Sequence, residues 1–156
     1  MKKAFKVLAK FLLVLVLLIG SYLVYVSVKG IPSYEVQPIS FELQSTPEAI
    51  DRGGKLVGLL CAGCHLNVET GKLSGGRMLE APAEFGEIYS QNITQDKQYG
   101  IGDWSNEDLV RLLRTGIKKD GIYAPPYMAK LPGLADSDLN AIISFLNSDN
   151  DMVTAD

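Results

Sequence analysis

The chain has 156 residues, with fifteen basic side chains against eighteen acidic ones, a net charge of −3 and a single histidine. Five of the basic residues (Lys2, Lys3, Lys6, Lys10 and Lys29) lie within the first 29 positions and every acidic residue lies beyond them, so residues 30–156 carry −8. That balance argues against nucleic acid as a partner, and 127 residues suffice for one compact domain but not for two.

Phe11 to Val28 reads FLLVLVLLIGSYLVYVSV, eighteen residues without a charge. With a short extension at either end such a helix crosses the hydrocarbon core. The lysines before it hold the N-terminus in the cytoplasm, so everything after Lys29 is exported. Tyr22 and Tyr25 stand near the outer end, where amphipathic rings favour the interface. A cleaved signal peptide is the alternative. The apolar run is longer than the roughly 7–15 residues of such a segment, and no A-x-A site follows. Residues 1–29 are therefore expected to be the Lys-rich end and membrane anchor; both readings export the same domain.

Residues 30–44 contain Pro32 and Pro38 and show no helical period, which predicts an extended linker or edge segment. From Gly30 to Ser45 such a tether could span at most roughly 50 Å. The first helix of the domain starts at STPE. Either Ser45 and Glu48 form a capping box, or Thr46 caps with Pro47 in the first helical position. Ile50, Val57, Leu60 and Cys61 then recur at helical spacing. Gly53 and Gly54 inside this helix each cost about 1 kcal/mol relative to Ala, which implies that another backbone or ring packs closely there.

Leu66 to Trp104 is rich in glycine and polar residues and has little period. So long a structureless stretch is unexpected in a small domain unless it wraps something. A second helix is predicted from Ser105, with Asp108 completing an acidic capping box, Leu109, Val110, Leu112 and Leu113 as its apolar side, and Gly116 at its end. A third follows Asp136 or Ser137 as cap, with Leu139, Ile142, Ile143 and Leu146 as its stripe. Residues 149–156 read as a polar tail, with Met152 in a frayed end.

The chemistry concentrates in CAGCH. Cys61 and Cys64 are the only cysteines, and His65 follows directly. Thiols one helical turn apart can add to the two vinyl groups of a porphyrin while the adjacent imidazole ligates its iron, and C-x-x-C-H is the pattern of c-type haem attachment. A Cys61–Cys64 disulfide would close too short a loop to constrain much. A thioredoxin-like pair would need a βαβ setting, and a structural zinc normally takes four ligands. One covalent haem c is the reading, and a buried porphyrin also gives the stretch from Leu66 to Trp104 something to wrap.

A second histidine ligand within the chain is excluded, so the other axial position falls to a methionine, the usual choice, or to a lysine that would have to be deprotonated, or stays open. Met128, in IYAPPYMAKLPG, sits in a loop stiffened by Pro125, Pro126 and Pro132 and suited to hold a thioether over a ring. Met78, in GGRMLEAP, is the competitor.

Residues 45–148 resemble the class I cytochromes c, within them the membrane-anchored monohaem type. The resemblance rests on Gly53 eight residues before Cys61, on CAGCH, on the run SQNITQDKQYGIGDWSNEDLVRLLRTGIKKDG, on the Pro-x-Met loop and on the final DSDLNAIISFL. It implies an all-α, cytochrome c-like helical domain wrapped around one covalently attached haem and preceded by the transmembrane helix. It also implies that Gly53 lets the first helix cross the last one against Phe145. Asn92, Ile93, Thr94 and Trp104 would line the haem edge or its propionates, with Tyr127 and Tyr123 as haem contacts or core. Two positions depart from the family: Ala129 follows Met128 where proline is usual, and Gln95 replaces the proline of NITPD.

A six-coordinate haem without an acid–base pair beside it suits single-electron transfer rather than catalysis. The expected protein is an electron carrier on the periplasmic face of a bacterial cytoplasmic membrane. Its expected partners are redox proteins presenting a basic patch, a dehydrogenase as donor and a terminal oxidase or reductase as acceptor. A fixed haem-relay subunit of a larger respiratory complex is the alternative, and a gas sensor or peroxidase with an open sixth site the more distant one.

Overall fold

A computed structural model describes residues 2–82, 84 and 86–155. These residues form five helices and no strand: α1 (Lys2–Lys29), α2 (Pro47–Leu60), α3 (Ala62–His65), α4 (Asn106–Thr115) and α5 (Asp136–Leu146). The chain divides into two units, residues 1–34 and 35–156.

In the first unit α1 runs unbroken through the apolar segment and is long and apolar enough to cross a membrane. It ends where Gly30 takes a left-handed φ of +67° and its N–H bonds to the Val26 carbonyl.

The second unit is built on α2 and α5. Thr46, not Ser45, caps α2: its hydroxyl accepts from the Ala49 N–H at 3.2 Å, with Pro47 next in the chain. Helix α4 starts with the predicted capping box of Ser105 and Asp108 and ends at left-handed Gly116. Helix α5 differs from expectation. Ala135 occupies the cap without a side-chain bond, and Asp136 is already helical. Asp136 and Asp138 in the first turn still favour the helix electrostatically, and they are tied to Arg114 and Arg52.

Helices α2 and α5 meet where Gly53 lies. A Cβ placed on Gly53 would stand 2.0 Å from the Ala141 carbonyl oxygen and 2.8 Å from the Phe145 Cβ. The missing side chain is what permits the crossing. Around it Val57, Leu139, Ile142, Ile143, Phe145 and Leu146 join Leu109, Val110 and Leu113 of α4 in one core.

Two segments pack more tightly than their sequence suggested. The expected linker is docked along much of its length: Ile39, Phe41 and Leu43 lie against the core. The buried Arg111 donates from Nε to the Gln37 carbonyl at 3.2 Å. Gln44 and Asn140 exchange two bonds of 2.8 Å between backbone and side chain. At least residues 37–44 therefore belong to the packed domain and not to a tether.

The C-terminal residues are also fastened rather than frayed. Val153 is fully buried, the Leu73 N–H donates to the Met152 carbonyl (2.8 Å) and the Gln95 N–H to the Val153 carbonyl (2.7 Å). The Gln95 amide adds bonds to the Leu146 and Ser148 carbonyls at 3.0 and 2.6 Å, closing the end of α5. The residue that departs from the NITPD pattern thus caps the last helix. Ending the chain after Ser148 removes one buried valine and two backbone bonds, and is expected to cost about 3 kcal/mol. Denaturant unfolding of the truncated and full chains measures it.

Candidate haem-attachment site

Helix α2 stops at Leu60, and the Cys61 N–H still bonds to the Val57 carbonyl (2.9 Å). Cys61 then starts the single turn of α3, accepting from the Cys64 and His65 N–H groups at 3.1 and 2.9 Å. One turn of backbone therefore presents Cys61, Cys64 and His65 together. The thiols form no disulfide; Cys64 is exposed and Cys61 half-buried. Burial, with a smaller contribution from Cys64, pushes the Cys61 thiol up to about 11. It stays protonated at neutral pH, unlike the activated thiolate of a dithiol redox enzyme. Among the described residues no group of three or more His, Cys, Asp and Glu side chains is arranged to hold a metal ion, so these three do not converge as a zinc site.

The His65 ring is oriented by a partner that sequence alone did not disclose. Its Nδ1 lies 2.8 Å from the Gln91 carbonyl oxygen. A carbonyl can only accept, so Nδ1 carries the proton and Nε2 keeps its lone pair for a metal. The arrangement is braced from behind. Gly75 donates to the His65 carbonyl (2.8 Å) at a left-handed φ of +82°, and a Cβ there would sit 2.3 Å from the Ser90 oxygen. Ser90 and Gly76 exchange three further bonds of 2.9 to 3.1 Å.

The family-implied contacts fall in the segment that follows Gln91. Ile93 donates to the Leu73 carbonyl and packs against the core. Asn92 spends its amide oxygen on the Thr94 N–H (2.8 Å), and Thr94 is buried. Trp104 packs against the core with the Lys119 ammonium 5.8 Å from its ring centroid.

Met128 is half-buried on a strap from Ala124 to Leu131. The strap's two feet are pinned to the end of α4: Ala124 donates to the Gly116 carbonyl and Leu131 to the Leu113 carbonyl, both at 2.7 Å. Beside it opens a cavity of about 540 Å³ lined by Met78, Glu80, Ala81, Pro82, Ile88, Pro126 and Tyr127. The structure thus brings Met78 and Tyr127 to one apolar hollow, while Met128 is not among its lining residues. A second hollow of about 660 Å³, between the docked segment 39–44 and the starts of α2 and α5, contains none of the predicted site residues.

These residues suit a covalent haem. The imidazole is pre-oriented with one nitrogen free, and both thiols sit on the same turn. Leu59, Leu60 and Val68, which flank the motif in sequence, are exposed at 79 %, 41 % and 87 %. Exposed apolar side chains flanking the motif are what a large hydrophobic cofactor would cover.

No protein-family model matches the chain. Among characterised proteins it is 37 % identical over 106 residues to the cytochrome c subunit of a quinone-dependent alcohol dehydrogenase from Gluconobacter oxydans, a match over 65 % of this chain and 22 % of that subunit. It is 39 % identical over 103 residues to the fructose dehydrogenase cytochrome subunit of Gluconobacter japonicus, covering 63 % and 21 % of the two chains. With the gluconate 2-dehydrogenase cytochrome c subunit of Pantoea cypripedii it shares 38 % over 89 residues, 54 % of this chain and 19 % of that one. The chain therefore spans about a fifth of the length of these relatives. Over that shared stretch it is a homologue of cytochrome c subunits of bacterial dehydrogenases.

Proposed function

We propose that this chain is a membrane-anchored monohaem c-type cytochrome that passes single electrons between respiratory or dehydrogenase partners. The observation that carries the reading is the single turn holding Cys61, Cys64 and a His65 whose Nδ1 is already committed to the Gln91 carbonyl. Cys61 and Cys64 would form the thioethers, His65 Nε2 would be the proximal iron ligand and the Met128 thioether the distal one. Asn92, Ile93, Trp104 and Tyr127 would contact the porphyrin. The haem iron supplies one-electron chemistry, and the chain's part is to orient, enclose and tune it. This makes the protein a carrier or a subunit of an oxidoreductase complex rather than itself an enzyme.

Helix α1 supports a single-pass anchor with the domain on the periplasmic face. The relatives' role as dehydrogenase subunits supports a dehydrogenase as donor, with an oxidase or reductase as acceptor. The net charge of −8 beyond Lys29 favours basic patches on those partners. The docking of residues 37–44 favours a second reading, a fixed relay subunit, because it takes those residues out of any tether.

The test uses the full chain matured with haem c in membranes. Haem should survive denaturing electrophoresis, and replacing both cysteines with serine should abolish that. At a carbon monoxide concentration that saturates Met128→Ala, the reduced spectrum of the unmutated chain should stay unchanged. Ready binding by the unmutated chain would overturn the carrier in favour of a sensor or peroxidase. An opening by Met78→Ala instead would move the distal role to the methionine that lines the hollow.

A further inference from the structure

The strap bearing Met128 contains Pro125 and Pro126 and is followed by Pro132, and none of the three can donate a backbone bond. Within it, Met128 donates to the Pro125 carbonyl at 3.0 Å. The link between its two feet is a side chain. The Lys130 ammonium donates to the Pro125 carbonyl at 2.6 Å and to the Ala124 carbonyl at 3.5 Å, reaching back across Met128. It also stands 4.8 Å from the centre of the Tyr123 ring, a cation–π distance. Its aliphatic stem lies on Gly116: a Cβ there would meet the Lys130 Cε at 2.8 Å and the Tyr123 ring at 2.9 Å. Lys130 is thus a half-buried brace from the C-terminal foot to the N-terminal one. Pro125 O is shared by the ammonium and the Met128 N–H.

We propose that Lys130 is a positioning residue that fixes the pose of the Met128 thioether, an inference resting on the assignment of Met128 as distal ligand. A bond from a charged donor to a carbonyl is among the stronger contributions a surface loop can have. Without it the strap keeps its two backbone feet but loses the tie between them. Met128 then samples poses in which its sulfur does not face the ring.

The experiment compares the unmutated haem-loaded chain with Lys130→Met, which keeps the stem and removes the donors, and with Lys130→Arg, which keeps cation and donors. Three quantities are read: the methionine–iron charge-transfer absorption of the oxidised form, the carbon monoxide concentration that half-saturates the reduced form, and the melting midpoint. Lys130→Met should weaken the absorption and lower the half-saturating concentration about tenfold, the effect of losing one charge-assisted bond. Lys130→Arg should recover most of both. A lower melting midpoint with both ligand readouts unchanged would overturn the proposal, and so would an arginine variant no better than the methionine one. If Lys130→Met does not accumulate, the same readouts on Lys130→Gln decide the matter. Failure of the underlying reading looks different: the charge-transfer absorption would then survive Met128→Ala.

Discussion

Replacing Gly53 with alanine is expected to keep the domain from accumulating in a folded, haem-loaded form. The added methyl would stand 2.0 Å from the Ala141 carbonyl oxygen, 2.7 Å from its carbon and 2.8 Å from the Phe145 Cβ. None of these can rotate away, since two are main chain and the third is fixed to it. Relief requires α2 and α5 to separate, and every residue from Ala141 to Leu146 is buried. Overpacking in a core commonly costs about 1–3 kcal/mol where side chains can shift. Here the backbone must move, so a cost on the order of 4 kcal/mol is expected, after the roughly 1 kcal/mol that alanine returns in helix propensity. That is a large fraction of the typical 5–15 kcal/mol by which a domain is stable. Two neighbours serve as controls. A Cβ on Gly54 meets only the Phe145 ring, at 3.0 Å, and the ring can tilt; one on Gly58 meets nothing within 4 Å. Gly54→Ala should cost no more than about 1 kcal/mol, and Gly58→Ala should stabilise by about as much. Yields of haem-loaded protein and melting midpoints for the three variants check the order. A Gly53→Ala domain as stable as Gly58→Ala would mean that the crossing is not this tight.

The same glycine shows why parts of the molecule were legible beforehand. Gly53 and Gly54 interrupt a run with clear helical period, and only a close neighbour explains a glycine kept there. The capping box at Ser105 and the CAGCH turn were equally local signals, each complete within four or five residues. What escaped was non-local or of another period. Ile39, Phe41 and Leu43 alternate with Ser40, Glu42 and Gln44, the two-residue repeat of an extended segment with one apolar face. Judged for helical period alone, that segment reads as linker. Val153 is a lone apolar residue among polar ones, and its burial depends on Leu73 and Gln95 arriving from elsewhere in the chain. The Gln91 carbonyl could not be singled out, because every residue has one and only the fold decides which carbonyl meets His65.

That carbonyl leads to the other large effect, Gly75→Ala. Gly75 holds a φ of +82°, where an L side chain costs roughly 1 kcal/mol. The greater cost is steric. A Cβ would lie 2.3 Å from the Ser90 oxygen and 3.0 Å from both the carbon and the oxygen of the Gln91 carbonyl. The segment 90–91 must retreat, and the bond from His65 Nδ1, now 2.8 Å, must lengthen with it. Stability should fall by about 3 kcal/mol, while both thioethers form as before because Cys61 and Cys64 are untouched. On the proposed ligation the reduction potential should rise, since an imidazole that loses its carbonyl acceptor is a less basic ligand and favours the oxidised iron less. Gly71→Ala separates the two effects. It shares the left-handed backbone, with a φ of +72°, but its Cβ meets nothing within 4 Å. It should cost about 1 kcal/mol and leave the potential where it was. Redox titration beside thermal melting of the two variants gives both numbers. A Gly75→Ala chain that is destabilised but keeps its potential would show that the Gln91 carbonyl orients His65 without tuning it.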